Sequence, residues 1–224
     1  MSDHKTPIER PIIFSGAMVK AILEGRKSQT RRAVKITHRS PGLAACLEPP
    51  HGMAPRPQVA MELCPFGQPG DRLWLRENGW ERPECSARDM REGADTWMRY
   101  HYDADGVGDA DHEQFKAWGF KRRPSIYMPR WASRITLEIE DVRVERLQDI
   151  SEDDAKAEGV TPFPYDPDGD CWTAASPERA HRTAFERLWG EINRWGGEPR
   201  ARAPWASNPW VWCVSFRRVP EKGL

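Results

Sequence analysis

Apolar residues recur along the chain in short blocks that have the spacing of helices or strands. The first helical block comprises Met18, Val19, Ile22 and Leu23. Its i, i+3, i+4 spacing predicts a helix over 18–24 with one buried face. Gly25 follows at a position where helices commonly end, because glycine adopts a left-handed backbone without steric penalty. The apolar run 11–15 predicts a strand before this helix, and 30–36 predicts a strand after it.

Three later segments alternate apolar and polar residues, which predicts further strands over 71–77, 133–146 and 210–216. In the second segment the apolar phase slips by one residue at Glu140 and Asp141. An uncorrected slip turns every later side chain to the wrong face, so we expect two strands or one bent strand there.

Glu77 ends the first of these alternating segments, on the same face as Leu73 and Leu75. If that face is the interior, the carboxylate is buried and needs a partner or a raised pKa. The alternative is that the strand has already ended and that Glu77 is exposed.

Two more helices are predicted from their start signals. Ser151 begins an S-x-x-D capping box, and Gly159 ends the short helix that follows. Ser176 and Pro177 begin the longest helix, 177–195. The predicted buried stripe of that helix comprises Phe185, Leu188, Trp189, Ile192 and Trp195.

Three segments rich in proline, glycine or charge are predicted to be long loop insertions, over about 37–69, 81–122 and 160–176. Between them lie enough strands and helices for one α+β domain over 1–224. The segment 37–69 in particular has more breakers than a packed element tolerates.

Composition narrows the classes of function. The 34 Lys and Arg residues balance 34 Asp and Glu residues, so nucleic-acid binding requires a local patch. No apolar run of transmembrane length and no signal-peptide segment is present, so we expect a cytoplasmic protein without a membrane partner. None of the five cysteines belongs to a CxxC motif. The order of the aspartates near 103–111 does not match that of a calcium-binding loop. We therefore expect neither a metal nor another cofactor.

The most distinctive stretch is Gly25-Arg26-Lys27-Ser28-Gln29-Thr30-Arg31-Arg32. Its charges fit a solvated helix end that offsets the helix dipole. They equally fit an anion-attracting turn with an amine and a hydroxyl three residues apart.

The pattern Gly-x-Lys-x-x-Thr-x-Arg, with Gly70-Asp71-Arg72-Leu73-Trp74-Leu75 later in the chain, resembles the ASCH family. The resemblance extends over about half of the chain and includes ASCH-like proteins carried by phages and prophages. It implies a PUA-like β-barrel with a few packed helices, and a modified nucleoside or RNA as partner.

In motif the chain also resembles the small bacterial amidohydrolases that deacetylate acetylcytidine. The lysine, threonine and glutamate of their proposed catalytic set fall on Lys27, Thr30 and Glu158. Glu158 lies in the last turn of its predicted helix, where the dipole disfavours a carboxylate. Such a carboxylate is either exposed or held by a nearby cation.

These residues suit hydrolysis of an amide C–N bond. A desolvated Lys27 acts as nucleophile or base, and Glu158 orients the amine or moves a proton to the leaving group. Thr30 donates to an oxyanion or positions the attacking group. The candidate substrate-binding residues are Arg26, Arg31, Arg32, Trp74, Glu77, Arg130 and Trp131.

Among them, Arg31 and Arg32 suit phosphate or carbonyl recognition, and Trp74 or Trp131 suits base stacking. The alternative to an enzyme is a non-catalytic RNA-binding module of a phage or prophage, in which the same basic turn holds phosphates. A third reading is an interaction protein that keeps the fold without the chemistry.

Overall fold

The computed structural model describes residues 6–36, 40–50, 53–82, 99–106, 109–162, 180–193 and 203–220. They form an α+β fold with a few helices. The chain divides into two compact units. The first unit comprises Met1–Glu24, Asp71–Glu138 and Arg218–Leu224, and the second comprises Gly25–Gly70 and Ile139–Arg217. The single domain predicted over 1–224 stays a prediction.

The strands are β1 (Glu9–Ile13), β2 (Gln29–Ala33), β3 (Arg72–Arg76), β4 (Gly79–Glu81), β5 (Tyr100–Tyr102), β6 (Lys121–Arg123), β7 (Thr136–Arg146) and β8 (Trp210–Arg218). The helices are α1 (Gly16–Leu23), α2 (Pro41–Leu47), α3 (Pro57–Ala60), α4 (Asp109–Ala117), α5 (Glu152–Ala157) and α6 (Ala180–Ile192). Several short 3-10 turns join them.

In the first unit, β1 pairs in parallel with β3, and β3 pairs antiparallel with the beginning of β7. A separate antiparallel sheet has the order β5-β4-β6. One apolar cluster joins Trp80 of β4 to Phe115 of α4 and to Phe120. The predicted insertion 81–122 therefore contains two strands and a helix among its described residues, and is not a continuous loop.

In the second unit, the later part of β7 lies beside β8, and β8 pairs antiparallel with β2. Helices α5 and α6 contribute to one apolar core with strand β8. The buried members of this core are Leu147, Ile150, Ala155, Phe185, Trp189, Ala203, Val211 and Cys213. The candidate site described below belongs to the same unit.

Most elements predicted from periodicity are present. The helix predicted over 18–24 is α1, and Gly25 follows it with a φ of +74°. The three alternating segments are β3, β7 and β8, while the strand predicted over 30–36 ends earlier, at Ala33. Within β7 both Glu140 and Asp141 are exposed before burial alternation resumes, which confirms the phase slip within one strand.

Two predictions from the sequence are wrong. The segment 37–69 is not a plain loop, because it contains α2 and α3 and buries Cys46 and Leu47. Ile192 is 50% exposed and does not belong to the buried stripe, since α6 ends at that residue. Phe185 and Trp189 are buried as predicted. The predicted helix start at 176–179, Trp195 and most of the insertion 160–176 lie outside the described residues.

The described strands do not close into a barrel. Among the helices of the described residues, none combines the length and apolar character that crossing a membrane requires.

Candidate functional site

Lys27 lies just before β2 and is fixed by backbone contacts on both sides. It forms an isolated antiparallel bridge with Glu158, 131 residues away. The next residue, Ser28, donates its backbone N–H to the carbonyl oxygen of Ala157 at 2.9 Å. The carbonyl oxygen of Ser28 accepts from the backbone N–H of Phe216 at 2.8 Å. The segment is thereby held between the end of α5 and strand β8.

The side chains of Lys27 and Glu158 form a buried ion pair. Lys27 Nζ donates to Glu158 Oε2 at 2.8 Å and to the Glu158 carbonyl oxygen at 2.9 Å. The two side chains are 0% and 2% exposed. Burial lowers the pKa of Lys27 and outweighs the opposing charge of Glu158, and the nearby Arg32 lowers the pKa further. The amine is therefore easier to deprotonate than an exposed lysine.

The position of Glu158 follows from its helix. Ser151 Oγ accepts from the Asp154 N–H at 3.1 Å, which confirms the predicted cap of α5. Glu158 is the C-cap residue, and Gly159 reverses the chain with a φ of +78°. A carboxylate is disfavoured by the helix dipole at this end. Of the two alternatives predicted for Glu158, the structure shows the one in which a cation, Lys27, holds it.

Arg31 supports the pair from β2. Its guanidinium donates to Glu145 Oε1 at 2.5 Å and to Asp154 Oδ2 at 3.0 Å, and it also donates to Gln29. Arg31 NH1 lies 3.5 Å from Glu158 Oε1. These contacts place the buried Arg31 among partly buried acidic partners and beside Glu158, whose Oε1 has no hydrogen-bond partner among the described residues. Its predicted role in phosphate or carbonyl recognition stays a prediction.

Sequence reasoning missed two of these acidic partners. Asp154 was interpreted only as a capping residue, although its carboxylate also binds Gln29 and Arg143. Glu145 lies on β7, and its carboxylate accepts from the Cys213 thiol at 3.1 Å. Burial raises the pKa of that thiol. No local signal marks either role, because both depend on which strands become neighbours.

The remaining predicted residues of the basic turn are placed differently. Thr30 is buried in β2, opposite Val214 of β8. Strand alternation places Thr30 and Arg32 on one face of β2 and Arg31 on the other. Arg26 is exposed and donates to the carbonyl oxygen of Gly159 at 3.0 Å. The structure thus brings Lys27 and Glu158 into direct contact. Thr30 lies three residues further along the same segment.

Four predicted substrate-binding residues belong to the first unit: Trp74, Glu77, Arg130 and Trp131. Glu77 is only 1% exposed, so the buried alternative is the observed one. Arg134 donates to both of its oxygens, each at 3.1 Å, and also binds Asp105 at 2.9 Å. Burial raises the pKa of Glu77 despite the opposing effect of Arg134.

The two tryptophans of this set carry cations over their rings. The guanidinium carbons of Arg76 and Arg130 lie 5.0 and 5.7 Å from the ring centroid of Trp74. That of Arg99 lies 3.9 Å from the ring centroid of Trp131, which is 38% exposed. Arg130 also binds Glu9 at 3.1 Å. Stacking and cation–π contacts with a base are chemically open to such rings.

No family model matches the chain, and neither a curated protein nor a solved structure matches it. Within the described ranges, no group of three or more His, Cys, Asp or Glu residues is arranged to hold a metal ion.

Proposed function

We propose that this chain is an ASCH-like protein with a PUA-like fold that hydrolyses the amide C–N bond of an N-acylated nucleoside such as acetylcytidine. One observation carries the proposal: Lys27 Nζ is fully buried and is held 2.8 Å from a carboxylate oxygen of Glu158. Burial lowers the pKa of this lysine, which brings the neutral amine that a base or nucleophile requires within easier reach.

In the proposed reaction, water attacks the acyl carbon while the Lys27 amine accepts a proton from that water. The C–N bond then breaks as Lys27, directly or through Glu158, passes that proton to the leaving nitrogen, and the carboxylic acid formed loses its own proton to solvent. The products are a carboxylate and the free nucleoside amine. The contact between Lys27 and Glu158 supports this proton transfer because it places donor and acceptor within hydrogen-bond distance.

Thr30 is the candidate donor to the developing oxyanion from the sequence, but strand alternation places it on the face of β2 opposite to Arg31, so the proposal rests on Lys27 and Glu158. Arg31 acts indirectly, since its guanidinium lies 3.5 Å from Glu158 Oε1 and contributes positive charge beside the carboxylate. The substrate must displace the side chains that exclude solvent from the pair, because Lys27 and Glu158 are almost fully covered.

Acetate release from acetylcytidine tests the proposal. We expect turnover by the unmodified protein, none by Lys27→Ala, and a lower kcat with a smaller change in KM for Glu158→Gln. Lys20→Ala is the matched control, since it removes an exposed lysine of α1. Circular dichroism must show that each variant is folded, because loss of one member of a buried pair is destabilising. Absence of turnover by the unmodified, folded protein would contradict the proposal.

The second candidate function is a non-catalytic RNA-binding module. It is supported by the exposed indole of Trp131 and by the arginines that lie over Trp74 and Trp131. This candidate predicts salt-sensitive binding of short RNAs that weakens in Trp131→Ala and is unchanged in Glu158→Gln. Salt-sensitive RNA binding together with no acetate release would favour this function over the hydrolase.

A further inference from the structure

The first unit contains a small cavity of about 220 Å³ whose lining is rich in arginine. The polar residues that line it are Glu9, Arg72, Arg130, Ser133, Arg134 and Thr136. Ligand pockets for drug-sized molecules have volumes of roughly 300–1,000 Å³. This cavity is therefore suited to a small group, or to one end of a larger molecule. None of its residues belongs to the Lys27–Glu158 pair.

Two of the three arginines already have carboxylate partners. Arg130 binds Glu9, through Nε at 3.2 Å and NH2 at 3.1 Å. Arg134 binds both oxygens of Glu77 and also reaches Asp105. These contacts fix the two guanidinium groups in place. Their charges are largely compensated, so neither alone makes the cavity attractive to an anion.

Arg72 differs from its two neighbours. Its Nε atom is buried and has no hydrogen-bond acceptor among the residues that the structure describes. Arg72 lies on β3, directly opposite Glu138 of β7 in the strand register, and Glu138 does not line the cavity. A buried guanidinium N–H without an acceptor is costly, since it has lost its hydrogen bonds to water. Because this atom has almost no exposed surface, an anionic group in the cavity becomes its acceptor only when the Arg72 guanidinium turns toward the cavity.

We propose that this cavity is a binding pocket for a phosphate monoester, with Arg72 as the principal ligand-binding residue. The guanidinium fork matches phosphate oxygens in a bidentate manner, which a lysine ammonium cannot do. A phosphate monoester carries a charge of about −1.5 to −2 near neutral pH, so it suits a cavity lined by three arginines and one glutamate. Inorganic phosphate and the 5′-phosphate of a mononucleotide share this chemistry.

Isothermal titration at constant ionic strength tests the pocket with inorganic phosphate, cytidine 5′-monophosphate, cytidine and chloride. We expect saturable binding of the first two ligands only. Arg72→Gln removes the charge and the fork, and we expect it to weaken both affinities at least roughly tenfold. Lys121→Gln is the control: it removes the same charge from an exposed position of β6 in the same unit, and we expect less than a roughly twofold change.

The two sources of phosphate are distinguished by their relative affinities. Tighter binding of the monophosphate than of inorganic phosphate, with both weakened in Arg72→Gln, identifies the end of a nucleotide as the ligand. Equal affinities, both weakened in Arg72→Gln, identify phosphate itself.

Three results would overturn the proposal: no saturable phosphate binding, equal binding of chloride, or cytidine binding as tightly as its monophosphate. Affinity unchanged in a folded Arg72→Gln protein would overturn it as well. If Arg72→Gln does not fold, Arg72→Lys keeps the charge and removes only the fork, and an affinity between those of the unmodified protein and background is then expected. Acetylcytidine hydrolysis plays no part in these measurements, so this pocket and the proposed reaction fail independently.

Discussion

Two buried glutamates, one in each unit of the described structure, differ in the cation that donates hydrogen bonds to them. In the second unit Lys27 faces Glu158, and both side chains are excluded from solvent. In the first unit Arg134 donates two hydrogen bonds to Glu77. The side chain of Arg134 is 23% exposed. A guanidinium is charged at every accessible pH, whereas a buried ammonium can release its proton. Glutamate is the anion in both pairs. The arginine pair is therefore a rigid contact, whereas the lysine of the other pair is able to give up its proton.

The two pairs also differ in which of their groups has a shifted pKa. In the lysine pair burial lowers the pKa of the cation, Lys27. In the arginine pair burial raises the pKa of the anion, Glu77, because Arg134 only partly offsets the loss of hydration. The position of a carboxylate beside a cation is thus insufficient to identify a reactive pair, and the identity of the cation has to be considered.

Removal of the lysine is expected to cause the largest loss of stability. Lys27→Met leaves the Glu158 carboxylate buried without its cation, and we expect the free energy of unfolding to fall by about 3–5 kcal/mol. Urea unfolding measures this change. In the double variant with Glu158→Gln, we expect a smaller loss than the sum of the two single losses, since the uncompensated charge is also removed. Additive losses would show that the two side chains do not stabilise each other.

The arginine pair should respond less strongly. Arg134→Lys keeps the charge but loses one of the two hydrogen bonds to Glu77, and we expect a loss of about 2 kcal/mol in urea unfolding. The control Arg187→Lys changes an exposed i, i+4 pair with Glu191 and should stay within about 0.5 kcal/mol. If the pair is only a rigid contact, Arg134→Lys leaves kcat for acetylcytidine unchanged. A large fall in kcat in the folded variant would show that this contact contributes to the chemistry.

A still smaller effect is expected from changing pH. The pKa of Glu77 in the folded protein lies above the ordinary glutamate value of 4.5. Between that value and the folded pKa, the folded state binds a proton that the unfolded state has lost, so stability falls as pH rises. Relative to Glu77→Gln, the unmodified protein should therefore lose stability as pH increases from about 4.5 and show no such trend below it. Paired urea unfolding curves from pH 4 to 8 measure the difference, and a rise with pH would contradict the assigned direction.

The smallest expected effect concerns the support of Glu158. Ser151→Ala removes the side-chain cap of α5 and should lower stability by about 1 kcal/mol. Ser207→Ala, which removes an exposed hydroxyl bond to the Pro204 carbonyl oxygen, is the control and should have less effect. We expect Ser151→Ala also to lower kcat, because α5 carries Glu158 at its end. Unchanged kcat would show that the backbone bridge to Lys27 alone positions the carboxylate.

The sequence predicted those parts of the fold that depend on local periodicity. Helix α1, strands β3, β7 and β8, and the cap of α5 at Ser151 are all present. The argument that the helix dipole disfavours Glu158 left two alternatives, and the structure shows the cation-bound one. The proline-rich segment 37–69 was misinterpreted, because prolines that begin helices have the same local signature as prolines in loops.

The surroundings of the candidate residues were less predictable than the residues themselves. Glu145 meets Arg31 only because β7, β8 and β2 are neighbours in one order, which no local pattern encodes. The sequence places Arg72 in an alternating strand, whereas the cavity around it also depends on segments near residues 9 and 130. Ile192 continued the helical spacing past the point at which α6 could still bury it.

Each unit is made of segments that are far apart in the sequence, and this affects the order in which contacts form during folding. Strand β2 leaves early from the synthesising ribosome, but its partner β8 follows almost 180 residues later in the chain. Domains begin to form from the N-terminus during synthesis, so Lys27 remains without Glu158 while 131 further residues are added, and β2 remains without β8 until nearly the whole chain has emerged. Contacts of such long separation are also slow to form. The Lys27–Glu158 pair is therefore expected among the last features to become protected in a pulse-labelled hydrogen-exchange experiment.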